Sequence, residues 1–81
     1  MTTDKPDPAA INAAVTRNVR AQLELAGMKH NELAAAADRP VSWVADRLNN
    51  RADWRISDLT VVARAIGCPT VTLVTLPEVI G

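Results

Sequence analysis

Apolar residues in the first third of the chain recur at a helical period. At ~100° per residue, Ile11, Val15, Val19, Leu23 and Ala26 share one stripe, with Ala14 and Gln22 beside it. Asp7 offers an N-cap, Pro8 suits the first helical position and Gly27 ends the run. This predicts one long helix whose other face, with Arg17, Arg20 and Glu24, is solvated.

The pattern then shortens. From His30 to Arg51 the chain reads HNELAAAADRPVSWVADRLNNR. Leu33, Ala34 and Ala37 fall on one face of a short helix, and Val41, Val44, Ala45 and Leu48 on one face of another. Between them Asp38-Arg39-Pro40 leaves room only for a tight turn, because proline lacks an N–H and pushes Arg39 out of the helical region. Pro40 then suits the opening turn of the second helix. The first of the two starts near Lys29 to Asn31, with His30 or Asn31 as its expected cap.

Further on, Ser57 is a candidate N-cap, with Ile56 placed to staple against Val61. Leu59, Val62, Ala63 and Ile66 make the buried stripe of a fourth helix that ends at Gly67. Trp54, before it, is expected to fold back as a plug, since the chain has no Phe or Tyr and an indole is its largest apolar group. Thr70 to Thr75 is ambiguous, its β-branched residues suiting a strand as well as a short helix.

The chain has 81 residues, 48% of them hydrophobic and 22% charged, which fits one small globular domain with a modest core. The expected division is a flexible arm at 1–8, a helical domain at 9–76 and a tail at 77–81. No apolar run approaches a membrane span, and MTTDKPDPAA lacks the charged-then-apolar pattern of a signal peptide, so the expected location is cytoplasmic. The lone Cys68 has no partner for a disulfide or a metal site. No Ser/His/Asp or Cys/His grouping and no glycine-rich phosphate loop is present, and one histidine is too few for acid–base work. The chain is therefore not expected to be an enzyme, nor to need a cofactor, a metal or a small-molecule ligand.

Two helices joined by so short a turn have the geometry of a helix-turn-helix. The stretch resembles the Cro/phage-repressor type of helix-turn-helix, and RLNNRADWRISDLTVVARAIGCP is similar to small actinobacterial and phage repressors. The resemblance covers about residues 15 to 76. It rests most on Leu33-Ala34, Val44, Asn49 and the run from Ala63 to Gly67. It implies an all-α, lambda-repressor-like bundle of four to five helices, with Thr70 to Thr75 helical, in a bacterial or phage-infected cell. Its implied function is a sequence-specific, Cro-like or short repressor that binds double-stranded DNA as a homodimer and acts by occupying an operator. The sequence departs from the pattern at Asp38 and Asn50, where glycine is usual, and at His30, where glutamine is common. At Leu23 and Leu48 two leucines stand where many members pair an arginine with a glutamate.

On that reading Val41, Ser42, Trp43 and Asp46 are the candidates for base contact. Ser42 can donate to or accept from any base, and Asp46 can accept from cytosine N4 or pair with Arg39 or Arg47. Trp43 has three uses: a thymine methyl or sugar contact, an anchor for a protein partner, or packing over the preceding helix. Helical periodicity also turns Asn50 outward. His30 and Asn31, at a helix N-terminus, are candidates for phosphate, as are Arg39, Arg47, Asn49 and Arg51. Arg17 is a lesser candidate for the DNA backbone.

Net charge is zero, with nine basic and nine acidic residues, whereas DNA-binding domains are commonly basic. Without Lys5, Asp4 and Asp7 in the arm and Glu78 in the tail, the balance is +2. Lys29, Arg39, Arg47, Arg51 and Arg55 cluster in or beside the helix-turn-helix, and a local patch attracts phosphate even on a neutral molecule. About four neutralised phosphates per subunit give a dimer a log–log salt slope near −7. Neutrality and an exposed Trp43 suit a second class of function, a protein-interaction module such as an antirepressor, exclusion factor or antitoxin-like partner. Val71, Leu73, Val74, Leu76, Val79 and Ile80 offer apolar surface for a C-terminal dimer contact.

Overall fold

The computed structural model describes residues 7–75 as five helices in the order α1 (Pro8–Ala26), α2 (His30–Ala37), α3 (Val41–Leu48), α4 (Ile56–Ile66) and α5 (Thr70–Val74). The arm before Asp7 and the tail from 77 onward, including Val79 and Ile80, lie outside the described residues, as does Leu76. Asp7 and Pro8, assigned to the arm by the domain division, instead begin α1. The Asp7 carboxylate accepts the Ala10 N–H at 2.9 Å.

Four of the helix ends close in one way. A residue in the left-handed region follows the last turn, and the next N–H reaches back to a carbonyl five residues earlier. The residues that turn are Gly27 (φ 64°), Asp38 (φ 57°), Asn50 (φ 59°) and Gly67 (φ 91°). The closing bonds run from Met28 N–H to Leu23 O (2.9 Å), Arg39 to Ala34 (2.9 Å), Arg51 to Asp46 (2.7 Å) and Cys68 to Ala63 (3.0 Å). Aspartate and asparagine thus do at two ends what glycine does at the others, since their short polar side chains tolerate this region best among the rest.

The core is built from Val15, Val19 and Leu23 of α1, Leu33 and Ala34 of α2, Val44 and Leu48 of α3, Leu59, Val62 and Ala63 of α4, and Leu73 of α5. α2 packs on α3 and α4, α1 lies against α3, α4 and α5, and α5 touches only α1 and α4. Leu23 and Leu48 are both buried in this core, so the two positions for which the resemblance implies an ion pair are filled by apolar packing. Such an exchange is tolerated when both partners change together.

The structure corrects several expectations. Val41 is 51% exposed and leaves the buried stripe of α3, and Ala26 is likewise exposed. Beside the α1 stripe the buried polar residue is Thr16. The α2 cap is neither His30 nor Asn31: the Glu32 carboxylate reaches back to the Lys29 N–H at 2.7 Å. Asp58 does the same for α4, accepting the Arg55 N–H at 3.0 Å, so the helix begins before Ser57 and Ser57 caps nothing. Ile56 is 82% exposed, which rules out the staple. The stretch from Thr70 is helical: Pro69 precedes it, Leu73 is fully buried, and Thr75 Oγ1 donates to Val71 O at 2.7 Å.

Candidate nucleic-acid interface

α2 and α3 meet at the Asp38-Pro40 turn and present one continuous outer surface. At the α2 start His30 and Asn31 are exposed; at the turn Arg39 is; on the first turn of α3 Val41 and Ser42 are. The α3 N-terminus follows Pro40 and carries no side-chain cap; the Trp43 N–H donates to Pro40 O at 3.0 Å, which leaves the Val41 and Ser42 N–H groups ahead of it without partners inside the helix. Asn49 and Arg51 are exposed just past its end.

Trp43 and Arg47 are placed differently from their expected roles. The Trp43 ring meets Trp54 edge-on at 6.4 Å between centroids and 88° between planes, and is half-buried against the core. The Arg47 guanidinium carbon lies 4.0 Å from the Trp43 centroid, and that of Arg39 lies 5.6 Å away. Trp43 therefore packs against the core and Trp54, with two arginines over its ring, an arrangement stabilised by cation–π attraction. Arg47 is engaged as well. Its Nε donates to Asp58 Oδ2 at 3.1 Å, with both side chains largely buried, and its Nη1 donates to Trp43 O at 3.3 Å. An arginine so held orients α3 and is not available to clamp a phosphate, which corrects its expected role. Asp46 faces Arg51 at 3.8 Å, both well exposed, instead of Arg39 or Arg47; such a surface pair contributes little. Arg39 Nη1 donates to the carbonyls of Asp38 (3.2 Å) and Ala37 (3.4 Å) at the end of α2.

Asn50 stays exposed, but its side-chain oxygen turns toward α1, contrary to the periodic reading. Its Oδ1 accepts the Thr16 hydroxyl at 2.6 Å and the Asn12 Nδ2 at 3.3 Å. Thr16 Oγ1 in turn accepts the Trp54 Nε1–H at 2.9 Å, and Asn12 Oδ1 accepts the Trp54 backbone N–H at 2.8 Å. Arg20 Nη2 donates to Leu48 O at 2.6 Å, so this residue of the supposedly solvated face holds the last turn of α3. These residues of α1 had no functional assignment from sequence. Their one local signal was Asn12 and Thr16, a polar pair at i, i+4 beside an apolar stripe; their partners stand 28 to 42 residues away.

Burial pushes the Cys68 thiol above its usual range. Among the described residues no cluster of His, Cys, Asp and Glu fits a metal ion, and no helix is long and apolar enough to cross a membrane.

The fold is one already seen in a solved structure. The chain superposes on the crystal structure of a hypothetical transcription factor, NHTF, from Neisseria with a TM-score of 0.78, over 95% of this chain and 88% of that one, at 22% sequence identity. At that identity the likeness establishes the shared all-helical fold. No protein-family model and no curated protein sequence matches the chain.

Proposed function

We propose that the chain is a DNA-binding transcriptional regulator of the Cro-like or short-repressor kind. It lays the first turn of α3 in the major groove and acts by occupying its site as a homodimer. The observation that carries this reading is the exposed, uncapped first turn of α3 beside the exposed start of α2 and the Arg39 turn. That is the arrangement in which a recognition helix meets bases while the preceding helix meets backbone. The shared fold with a hypothetical transcription factor supports it.

In this reading Val41 offers a methyl contact to thymine, and Ser42 and Asp46 reach base edges. Trp43 contributes only the part of its ring left uncovered. His30, Asn31, Arg39, Asn49 and Arg51 hold phosphates, and Arg47 orients the helix from behind. No chemistry is performed; a bound dimer blocks competing proteins.

The test is fluorescence anisotropy of labelled random duplex at low salt, followed by selection of preferred sequences from that pool. Binding is expected, with Arg39→Ala and Arg51→Ala weakening it for every sequence and Ser42→Ala changing which sequences are selected. A folded protein that leaves duplex DNA unbound at about 50 mM salt refutes the reading, since nonspecific phosphate contacts alone give measurable affinity there. The zero net charge favours the second reading, a protein-interaction module on the same fold, and that outcome would select it.

A further inference from the structure

Asp58 is one of two buried polar side chains among the described residues, the other being Thr16. Its carboxylate oxygen Oδ2 accepts twice, from the Arg55 N–H at 3.0 Å and from Arg47 Nε at 3.1 Å. The first bond caps α4 and needs only an acceptor, which a neutral amide also supplies. The negative charge therefore acts on Arg47. Around that guanidinium stand the carboxylate, the Trp43 carbonyl at 3.3 Å and the Trp43 ring, whose centroid is 4.0 Å away. The Arg47 and Asp58 side chains are only 15% and 12% exposed.

Stability alone does not account for this pair. Two charges taken out of water gain little over well-packed apolar residues of similar size, and Leu23 and Leu48 show that the same core accepts such packing. What the pair changes is the charge presented outside. Arg39 lies over the same ring, its guanidinium carbon 5.6 Å from the centroid, but it is exposed and makes no ion pair among the described residues. Two cations thus share one indole in the first turn of α3, and Asp58 holds and neutralises the buried one while Arg39 stays open to solvent. A phosphate contact adds affinity for every sequence alike and carries no base information. An arginine withheld from phosphate therefore lowers the affinity for arbitrary duplex and leaves base-edge contacts untouched, which widens the ratio between preferred and arbitrary sites.

We infer that Asp58 is a positioning residue of the DNA-binding surface: acting through Arg47, it keeps that arginine on the Trp43 ring and away from phosphate, and so limits binding to arbitrary duplex. The inference rests on the proposed DNA-binding function, and its test has one arm without DNA and one with it, so that the two can fail separately. Three proteins are compared by circular dichroism and then by both arms: wild type, Asp58→Asn, and Asp58→Asn combined with Arg47→Met. Asparagine keeps an acceptor for the Arg55 N–H and removes the charge; Arg47, left without an anion in a largely dry site, then extends its head into solvent. Methionine removes the cation as well. Without DNA, NMR of the Arg47 Nε–H should show in wild type a proton slow to exchange and shifted upfield by the Trp43 ring, and in Asp58→Asn one that exchanges fast. With labelled random duplex, anisotropy over a salt series should give Asp58→Asn a log–log slope steeper than wild type by about 0.9 per subunit, and the double variant should return to the wild-type slope. If Asp58 served only to cap α4, Asp58→Asn would lower the melting temperature at most and leave the slope where it was.

Should Asp58→Asn lose its helices, single changes at the two arginines decide the matter: Arg47→Met should leave the salt slope unchanged and Arg39→Met should make it shallower by about 0.9 per subunit, and equal losses overturn the inference. An Arg47 Nε–H that exchanges as fast in wild type as in Asp58→Asn overturns it too. An unchanged slope in Asp58→Asn, with wild type binding duplex, overturns it and leaves the proposed function standing. So does a steeper slope that persists in the double variant, since the added contact would then come from another cation. If none of the three proteins binds duplex, the proposed function falls and this inference with it.

Discussion

Replacing Thr16 with valine tests how the end of α3 is held. Thr16 is 4% exposed, and its hydroxyl accepts the Trp54 Nε1–H at 2.9 Å while lying 2.6 Å from Asn50 Oδ1. A hydroxyl has one hydrogen, so it donates to Asn50, and the carbonyls of Asn12 (3.1 Å) and Arg47 (3.4 Å) are weaker alternatives. Valine keeps the shape and removes both bonds, about 1 kcal/mol each, and strands the indole N–H at a further cost of about 1 kcal/mol. The added buried methyl returns about 0.8 kcal/mol, which leaves a net loss of about 2 kcal/mol. In a domain of this size that lowers Tm by about 8–16 °C. The measurement is urea and thermal unfolding followed by circular dichroism, which avoids the change in Trp54 emission, with Thr16→Ser as the control that keeps the hydroxyl. A loss below about 0.5 kcal/mol for valine, or serine proving as harmful as valine, would refute the claim that this hydroxyl joins α1 to the end of α3.

The two non-glycine residues with positive φ should respond oppositely to glycine. Asp38→Gly relieves the left-handed backbone and removes a carboxylate from the negative end of α2, so it should stabilise by about 0.5–1 kcal/mol; Asn50→Gly gains the same relief but takes away the acceptor of Thr16 and Asn12, and should destabilise by about 1 kcal/mol. Denaturant midpoints of the two variants check both signs. With Arg47 bound to Asp58, the exposed cations on the two-helix surface are Lys29, Arg39 and Arg51. A DNA-bound dimer should then show a log–log salt slope of about −5, shallower than the −7 expected when Arg47 is counted, and a slope weaker than about −2 would contradict phosphate binding by this surface. Because burial raises the Cys68 thiol, iodoacetamide should modify it more slowly than free cysteine at pH 8, with the rate still climbing at higher pH as the thiolate forms.

Much of the backbone plan was readable because it is set by neighbours in sequence. Asp7-Pro8 and Gly27 bound α1, Asp38-Pro40 breaks α2 from α3, and the positive φ of Asp38 and Asn50 falls at the two positions where the resemblance implies glycine. The misreadings come from contacts across the chain. Helical period sent Trp43 and Asn50 outward and left Arg47 on a flank as a phosphate candidate, yet Trp54, Thr16 and Asp58 arrive from other segments and engage all three. Ser57 looked like a cap, but Asp58 one residue later reaches back to the Arg55 N–H and shifts the start of the helix. At Thr70 to Thr75 the burial of Leu73, together with Asn18 Nδ2 donating to the Leu73 and Thr75 carbonyls, holds a helix where β-branched residues would also suit a strand.

Two turns of helix do not persist unaided in water, and α3 is only eight residues long. The side-chain hydrogen bonds that tie it to other helices, Arg20 to Leu48, Arg47 to Asp58 and Thr16 to Asn50, lie at its final turn or just past it. One short rod thereby divides in two: its tail end is bolted to the scaffold, while at its leading end Trp43 is packed and Val41 and Ser42 are left free. A library randomised at positions 41 and 42, both exposed, should return variants that nearly all fold, which thermal unfolding of the pool would check.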